Sequence, residues 1–221
     1  MASTAILIPA RYNSSRFPGK PLCDLGGKTM IERVYETCLK TGLPTFVLSD
    51  DERIAEKIGA GTIIDKYDYN NGTERCAGAC KDLNYDKFIN VQGDMPDVTV
   101  DMIDKVHKHL KHWNITTAYT DMPKELQNDP NSVKMVRSGD KSLWFGRGMT
   151  GYGEWHLGIY GYDKNTLHWY STYQVELEEQ VEKLEQIRWL KAGWDIGCVR
   201  VDFDGIEINT PQDMEKWNES R

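Results

Sequence analysis

The chain has 221 residues, 39% of them hydrophobic, and carries a formal net charge of −7. This length accommodates one large α/β domain or two small ones. The acidic balance argues against nucleic acid as the main partner, because a duplex is bound by a basic face. No apolar run reaches the roughly 20 residues that span a bilayer, so we expect no membrane partner. The cysteines, five in number, predict reduced thiols and a cytoplasmic location.

Short apolar runs alternate with amphipathic stretches along the chain. The apolar runs predict strands at Ala5–Pro9, Thr45–Ser49, Lys87–Val91, Ile115–Tyr119, Val133–Arg137, Ser142–Phe145, His156–Tyr162 and Cys198–Phe203. The amphipathic stretches predict helices at Thr29–Lys40, Asp51–Ile58, Gly72–Leu83, Val100–His112, Glu176–Lys191 and Pro211–Glu219.

The order of these elements predicts an α/β fold. Alternation of strands and helices through the first half indicates right-handed βαβ units and a mainly parallel, Rossmann-like sheet flanked by helices. From about Pro123 to Tyr162 the pattern indicates antiparallel hairpins, with Gly139-Asp140 as one of the turns. Because no linker interrupts the chain, we expect a single domain over residues 1–221.

A loop rich in glycine, proline and cations follows the first strand, in the sequence IPARYNSSRFPGKPL of Ile8–Leu22. Open α/β sheets bind ligands at the carboxyl ends of their strands. The cations Arg11, Arg16 and Lys20 therefore predict an anion site, with a triphosphate as its natural ligand. Pro21 after Gly-Lys excludes a Walker A loop, and no GxGxxG is present. A solvated surface loop is the alternative, and three cations at this position make it the weaker one.

A second motif, FINVQGDMP, occupies Phe88–Pro96. Its Asp94 follows a buried strand and Gly93, where a carboxylate is well placed to hold Mg²⁺ against phosphate oxygens. Alternatively, Asp94 caps the following turn, and this motif alone does not decide between the two.

Taken together, these stretches resemble the cytidylyltransferases that activate 3-deoxy-manno-octulosonate (Kdo), the CMP-Kdo synthetases. The resemblance covers nearly the whole chain, in blocks that occur in the family's order. The blocks are the IPARxxSxRxPGKPL loop at Ile8–Leu22, the acidic strand end at Ser49-Asp50-Asp51, the SGTER box at Asn71–Arg75, NVQGDEP at Asn90–Pro96, NPNxVKVV at Asp129–Val136, HLGIYGY at His156–Tyr162 and LEQLR at Leu184–Arg188.

This resemblance implies a nucleotide-diphospho-sugar transferase-like fold and the transfer of CMP from CTP to a 2-keto sugar acid, with Mg²⁺ as cofactor and release of pyrophosphate. Residues 1–122 would form the nucleotide-binding half, 123–200 the sugar-binding and dimerisation part, and 201–221 a return to the main sheet. By resemblance, the catalytic residues are Lys20, Arg11, Arg16 and Asp94. The nucleotide-binding residues are Pro9, Ala10, Arg11, Ser49, Asp50, Gly72, Thr73, Arg75 and Gln92. The sugar-binding residues are Arg147, His156, Tyr160, Glu185 and Gln186.

The predicted sugar-binding residues include two pairs, and the sequence pattern supports the assignment of one pair but not of the other. His156 and Tyr160 stand four apart on one strand and should share a face, where polar rings suit a ligand rich in hydroxyl groups. Glu185 and Gln186 are adjacent on a predicted helix and cannot share a face, so their assignment depends on the resemblance alone.

The last acidic motif departs from the family pattern. Where the family's VDTPEDL has its first Asp, the second metal ligand, this chain has Asn209. Glu207 stands where the family usually has Gly, and in an extended segment it would share a face with Asn209. We therefore weigh two hypotheses equally. Either Glu207 and Asn209 converge on a metal ion with Asp94, or Glu207 is solvated and Asn209 caps the helix at Pro211.

Three functions follow from these observations. The first is an active CMP-Kdo synthetase-like enzyme, and the second is activation of another 2-keto sugar acid, as in the CMP-sialic acid synthetases. The third is a non-catalytic nucleotide- or sugar-binding protein that has lost a metal ligand. The resemblance further implies a homodimer, for which the aromatic segment Leu167–Tyr173 could supply an exposed apolar patch, unless those rings fill the core.

Overall fold

The computed structural model describes residues 2–13 and 17–221. Its strands are β1 (Thr4–Pro9), β2 (Asp24–Leu25), β3 (Lys28–Thr29), β4 (Thr45–Ser49), β5 (Thr62–Ile64), β6 (Lys87–Val91), β7 (Ile115–Thr120), β8 (Lys134–Ser138), β9 (Lys141–Gly146), β10 (Glu154–Asp163) and β11 (Ile196–Arg200). Its helices are α1 (Met30–Leu39), α2 (Glu52–Ile58), α3 (Gly72–Ala79), α4 (Val100–His109), α5 (Lys164–Trp169), α6 (Leu177–Glu182), α7 (Ile187–Lys191) and α8 (Pro211–Glu219).

Within the described residues, nine of these strands form one sheet in the order β5-β4-β1-β6-β10-β7-β11-β9-β8. The first four run parallel, as the βαβ pattern predicts. The hairpin of β8 and β9 turns at Gly139-Asp140, with Gly139 in the left-handed region at φ 57°, which confirms that prediction. A short hairpin of β2 and β3 stands apart from the sheet, and the sequence patterns did not predict it.

Strand β10 lies at the centre of this sheet rather than in a separate antiparallel region. It runs antiparallel to β6 on one side and to β7 on the other. Its first residues also pair with β8. Because of this position, the strand that carries His156 and Tyr160 lies directly beside the strand that leads to Asp94.

Helices cover both faces of the sheet. On one face, α3, α5 and α7 pack over a core that includes Phe88, Tyr162 and Trp189. On the other face, α1 and α4 cover Ile6, Ile8 and the apolar side of β6. Both faces of β1 are therefore buried along all six of its residues, which explains its continuous apolar sequence.

The single helix predicted over Glu176–Lys191 is wrong. Helix α6 ends at Glu182, Lys183 adopts a left-handed conformation with φ 54°, and α7 begins at Ile187. The reason lies in Arg188, whose Nε and Nη2 donate to the two carboxylate oxygens of Glu179 at 2.8 and 2.6 Å. A continuous helix would separate these two residues by about 13.5 Å along its axis. The break brings them into contact and turns Glu185 inward.

The segment Leu167–Tyr173 does not form the expected exposed patch. Leu167 and Tyr170 are fully buried, and Tyr173 packs against the core. The rings thus fill the core, and Trp169 alone within the segment is a largely exposed apolar side chain. Large exposed apolar side chains occur further along, at Val175, Leu177 and Val181. Each helix in the described parts of the chain is too short or too polar to cross a bilayer.

Candidate active site

Two cavities adjoin each other at the carboxyl ends of β1 and β6. The smaller cavity, of about 440 Å³, is lined by the first loop, the start of α3 and the end of β6. The larger cavity, of about 730 Å³, extends from there across β10 to α6 and the break before α7. The residues that line both cavities are Arg11, Asn71, Gly72, Gln92 and Asp94. A ligand in one cavity can therefore touch a ligand in the other.

The smaller cavity contains most of the residues predicted to bind a nucleotide. Pro9, Ala10, Arg11, Lys20, Gly72, Arg75, Gln92 and Asp94 all line it. Glycine at position 72 leaves room for its neighbours, because a Cβ there would lie 3.0 Å from the Pro9 side chain and 3.1 Å from Gln92 Nε2. The exposed guanidinium of Arg11 faces the carbonyl oxygens of Tyr69 and Asn70 at 3.4 and 3.5 Å. Arg16 lies outside the described residues.

Lys20 fixes the carboxylate at the end of β6. Its Nζ donates to Asp94 Oδ2 at 2.8 Å and to the carbonyl oxygen of Ile208 at 3.1 Å. The backbone N–H of Ile208 in turn donates to the carbonyl oxygen of Asp94 at 3.0 Å. These contacts hold Lys20 and Asp94 together at the carboxyl ends of β1 and β6. They also keep the segment around Ile208 beside this pair.

Three predicted nucleotide-binding residues do not line either cavity. Ser49 is fully buried, and its hydroxyl accepts from the N–H of Asp51, the N-cap of α2. Asp50 accepts from Arg75 Nη2 at 3.3 Å and so orients a guanidinium that does line the smaller cavity. Thr73 is buried, and its N–H donates to Glu185 Oε2 at 2.9 Å. All three lie behind the cavity wall and support it.

In the larger cavity, His156 and Tyr160 lie on one face of β10, as their spacing predicts, with ring centroids 5.4 Å apart. The Thr117 hydroxyl lies 3.0 Å from the carbonyl oxygen of Ile159, to which it must donate, and 2.9 Å from His156 Nε2. A hydroxyl has one hydrogen, so Nε2 must be the donor to Thr117 and Nδ1 carries the lone pair. Burial, together with the charge of Arg147, lowers the pKa of His156 to about 3.

Both Glu185 and Gln186 line the larger cavity, because they lie in the break between α6 and α7 rather than on a helix. Glu185 accepts from Thr73 N–H and from Gln92 Nε2, each at 2.9 Å, and its burial raises its pKa. Gln186 accepts from the Tyr160 hydroxyl at 3.2 Å, and its Nε2 is buried without a partner.

Glu207 and Asn209 line the larger cavity together with Asp94. Ile208 between them is fully buried, so the two polar side chains share the cavity side of this extended segment, as predicted. Burial and the nearby charge of Asp94 raise the pKa of Glu207 to about 8. Asn209 is not the N-cap of α8: the cap is Thr210, which forms a capping box with Asp213. The hypothesis that Asn209 caps this helix is therefore wrong, and Glu207 is half-buried.

These donors suit a hard cation. Among the described residues, no three His, Cys, Asp or Glu side chains converge on one point. Asp94, Glu207 and Asn209 nevertheless offer oxygen ligands, two from carboxylates and one from an amide. In nucleotide enzymes Mg²⁺ typically takes one or two carboxylates, and phosphate and water oxygens complete its coordination shell. The residues present fit that description.

Residues 5–196 match the family model described as cytidylyltransferase. The chain belongs to the cytidylyltransferase family. It is 39% identical to the mitochondrial 3-deoxy-manno-octulosonate cytidylyltransferase of Arabidopsis thaliana, over 95% of this chain and 80% of that protein. It is 36% identical to the 8-amino-3,8-dideoxy-manno-octulosonate cytidylyltransferase of Shewanella halifaxensis, over 96% of both chains.

The fold agrees with this family. A solved structure of CMP:2-keto-3-deoxy-manno-octonic acid synthetase complexed with CTP superimposes with a TM-score of 0.91 and 31% identity, over 99% of this chain and 98% of that one. The nucleotide-diphospho-sugar transferase-like fold expected from the sequence is confirmed.

Several residues that line the larger cavity of this cytidylyltransferase were not predicted from the sequence. Arg188 is 2% exposed, pairs with Glu179, and donates through Nη1 to Glu74 of the Asn71–Arg75 box at 2.9 Å. Asn131 accepts, through its carbonyl oxygen, from Arg147 Nη1 at 2.6 Å. Both residues lie inside sequence blocks that resemble the family, so the resemblance could have indicated them as site residues. Lys183, at the helix break, lies outside these blocks, and no sequence pattern indicated it.

Proposed function

We propose that this cytidylyltransferase transfers CMP from CTP to the anomeric hydroxyl of Kdo or a similar 2-keto sugar acid, and releases pyrophosphate. The observation that carries the proposal is the pair of cavities that meet at Gln92 and Asp94. One is lined by cations and glycine at the end of β1, and the other by polar groups of β10 and the α6–α7 break. The names of the relatives and the CTP complex of the similar structure support the same substrates.

CTP is assigned to the smaller cavity. Arg11 and Lys20 line it beside the carboxyl end of β1 and would balance the charge of the triphosphate. Arg75 reaches the same cavity from α3, and its position is fixed by Asp50 and by the carbonyl oxygen of Asp65. Ser49 and Thr73 would support from behind the wall that frames the base and ribose.

The sugar acid is assigned to the larger cavity. Arg147 lines it and offers the planar guanidinium that suits a carboxylate. Neutral His156 offers an acceptor at Nδ1, and the exposed side-chain amide of Gln180 adds donors and an acceptor to the lining. This mixture of donors and acceptors suits the hydroxyl groups of a sugar better than it suits an apolar ligand.

In the reaction, the oxygen of the anomeric hydroxyl attacks the α-phosphorus of CTP. The new oxygen–phosphorus bond forms as the bond from the α-phosphorus to the bridging β-oxygen breaks. Pyrophosphate leaves with the electron pair, and the hydroxyl proton passes to solvent. Lys20 and Arg11 would stabilise the charge that builds on the leaving oxygen, which is an electrostatic contribution.

We propose Mg²⁺ as the cofactor, held by Asp94 with Glu207 and Asn209. When bound, it would supply charge to the phosphate oxygens and so favour attack on the phosphorus. The Asp94 side chain is already oriented by Lys20, so its second oxygen is directed away from that contact.

Two alternative functions are each favoured by a specific observation. The similarity to a relative named for 8-amino-3,8-dideoxy-manno-octulosonate favours a related sugar acid as a second substrate candidate. Asn209, in place of a carboxylate, favours a protein that binds nucleotide and sugar without turning them over.

We also propose a homodimer and a cytoplasmic location. The exposed side chains of Leu177 and Val181 lie four residues apart on one face of α6, with Val175 just before it, and would supply the apolar contact of a dimer. All five cysteines are free thiols, as in proteins of a reducing compartment.

The proposed function is tested by pyrophosphate release from CTP and Mg²⁺ with a panel of Kdo, its 8-amino derivative and sialic acid. Release with Kdo or the 8-amino sugar supports the proposal and identifies the substrate. Release with sialic acid alone assigns the second function, and CTP binding without release from any sugar acid assigns the non-catalytic one.

A further inference from the structure

Glu185 connects the two cavities through both of its carboxylate oxygens. Oε2 accepts from the N–H of Thr73 in the first turn of α3, and Oε1 accepts from Gln92 Nε2, each at 2.9 Å. Both donors belong to the part of the chain that forms the smaller cavity, whereas Glu185 lines only the larger one. The carboxylate oxygens are therefore directed at the protein and not at a ligand.

The contact with Glu185 determines which way the Gln92 amide is turned. Gln92 presents its NH₂ group to Glu185, because Nε2 donates to the carboxylate oxygen Oε1 at 2.9 Å. The Oε1 of Gln92 then faces the other way. Among the described residues, none donates to this atom, and it is not sealed from solvent. Gln92 thus presents an acceptor oxygen to the cavities.

Glycines on both sides leave the space that the Gln92 side chain occupies. A Cβ on Gly158 would lie 2.8 Å from Gln92 Cγ, and one on Gly72 would lie 3.1 Å from Nε2. The backbone N–H of Gln92 donates to the carbonyl oxygen of Gly158 at 3.0 Å. The hydrogen bonds to Glu185 and Gly158 therefore hold Gln92, and with it the acceptor oxygen, at the junction of the two cavities.

The attacking hydroxyl must also lie at this junction, because it belongs to the ligand of one cavity and reacts with the ligand of the other. Such a hydroxyl is productive only if its hydrogen points away and a lone pair faces the phosphorus. An acceptor at the junction enforces that orientation. An NH₂ group at the same place would instead donate to the oxygen, occupy one of its two lone pairs and leave the direction of its hydrogen unset.

We propose that Glu185 is a positioning residue that turns the Gln92 amide so that Oε1 accepts the hydrogen of the attacking hydroxyl. This rests on the proposed function. Gln92 does not remove the proton, since an amide is not a base at neutral pH; it aligns the hydroxyl before the proton passes to solvent.

The chemistry of the pair supplies a variant that keeps the fold. In Glu185→Gln, the new amide oxygen still accepts from Thr73, and its NH₂ donates to Gln92 once the Gln92 amide has turned over. Both hydrogen bonds persist, but NH₂ replaces oxygen at the junction. We expect kcat to fall at least tenfold, with the KM of the sugar acid and the Kd of CTP within threefold of wild type and an unchanged melting temperature.

The swapped pair Glu185→Gln/Gln92→Glu returns an acceptor oxygen to the junction, and we expect it to recover most of the lost kcat. The matched control is Glu178→Gln, which removes an exposed carboxylate paired with Lys191 on the surface and should leave kcat unchanged.

Three results would overturn the inference. Wild-type kcat in Glu185→Gln would mean that the orientation of Gln92 does not matter. A raised KM with unchanged kcat would make Glu185 a sugar ligand. A lowered melting temperature without recovery in the swapped pair would make its role structural. Failure of the proposed function is a separate result, because there the wild-type protein itself releases no pyrophosphate.

Discussion

Lys20 Nζ lies 2.8 Å from Asp94 Oδ2, at the junction of the two cavities. The lysine comes from the first loop and the aspartate from the end of β6, 74 residues later. The Lys20 side chain is 14% exposed and that of Asp94 31%, so the pair is shielded but open to a ligand. A cation and a carboxylate held together in this way are suited to a reaction in which negative charge moves.

Lys20→Ala should depress turnover about 10²- to 10³-fold, because it removes one preorganised donor from the leaving phosphate. The fold should persist, since Asp94 remains joined to Ile208 through the backbone. Steady-state pyrophosphate release measures the effect, and circular dichroism checks the fold. Lys28→Ala is the matched control, because Lys28 pairs with Glu36 on the surface. Turnover near the wild-type level in Lys20→Ala would mean that this lysine only holds Asp94 and Ile208 in place and does not stabilise the leaving phosphate.

Nucleotide choice is the second prediction. The smaller cavity is walled by the start of α3 and by Arg75, which is 4% exposed and held by Asp50 and Asp65. A wall fixed in this way should discriminate between bases, so CTP should bind more tightly than ATP or GTP. Calorimetric titration with each nucleotide provides the comparison. Equal affinities would show that the cavity recognises only the triphosphate.

The third prediction concerns the two departures from the family pattern. If Glu207 replaces the missing carboxylate, Glu207→Gln should weaken Mg²⁺ binding and abolish Mg²⁺-dependent turnover, whereas Asn209→Asp should leave both equal or higher. A neutral amide is a weaker ligand for a hard cation than a carboxylate, which is the physical reason. Mn²⁺ binding followed by electron paramagnetic resonance gives a readout that does not depend on turnover.

The opposite pattern would reject this compensation. A silent Glu207→Gln, together with activity that appears only in Asn209→Asp, would mean that the chain has lost a metal ligand without replacement. The non-catalytic function would then be correct.

His156 gives a prediction for stability. Its pKa is lowered to about 3 by burial and by Arg147, so below pH 6.5 the unfolded chain binds a proton that the folded chain does not. The unfolded state gains protons first, and the free energy of unfolding therefore falls as the pH decreases from 6.5 towards 3, by at most about 1.4 kcal/mol per pH unit from this residue. His156→Gln removes the titrating group.

Urea denaturation of both proteins at pH 7, 6, 5 and 4 measures the difference. The wild type should lose stability more steeply than His156→Gln over this range. Parallel curves would show that His156 is protonated in the folded state as readily as in the unfolded state.

Much of this site could be predicted because its chemistry is local in sequence. The loop at Ile8–Leu22 and the motif around Asp94 each follow the carboxyl end of a predicted strand. In a parallel sheet these ends lie at the same edge. His156 and Tyr160 share a face because a strand alternates with a period of two. The position of β10 at the centre of the sheet could not be predicted, since its pairing with β6 and β7 depends on long-range contacts.

The break at Lys183 shows the other limit. The sequence from Glu176 to Lys191 has the composition of one helix, and helix propensity favours continuity there. What ends α6 is the pairing of Arg188 with Glu179 and Glu74, the last of which lies more than 100 residues away. A tertiary contact of this kind leaves no periodic signal. The consequence is large, because the break is what allows both Glu185 and Gln186 to face the cavity.

The central claim is the transfer of CMP to a sugar acid, and ³¹P NMR of CTP and Kdo incubated with the protein and Mg²⁺ tests it most directly. We expect the three CTP resonances to decline while the phosphodiester resonance of the CMP-sugar and the resonance of pyrophosphate appear, with the two products in equal amounts. Unchanged CTP, or CMP and pyrophosphate with no sugar-linked phosphodiester, would contradict it.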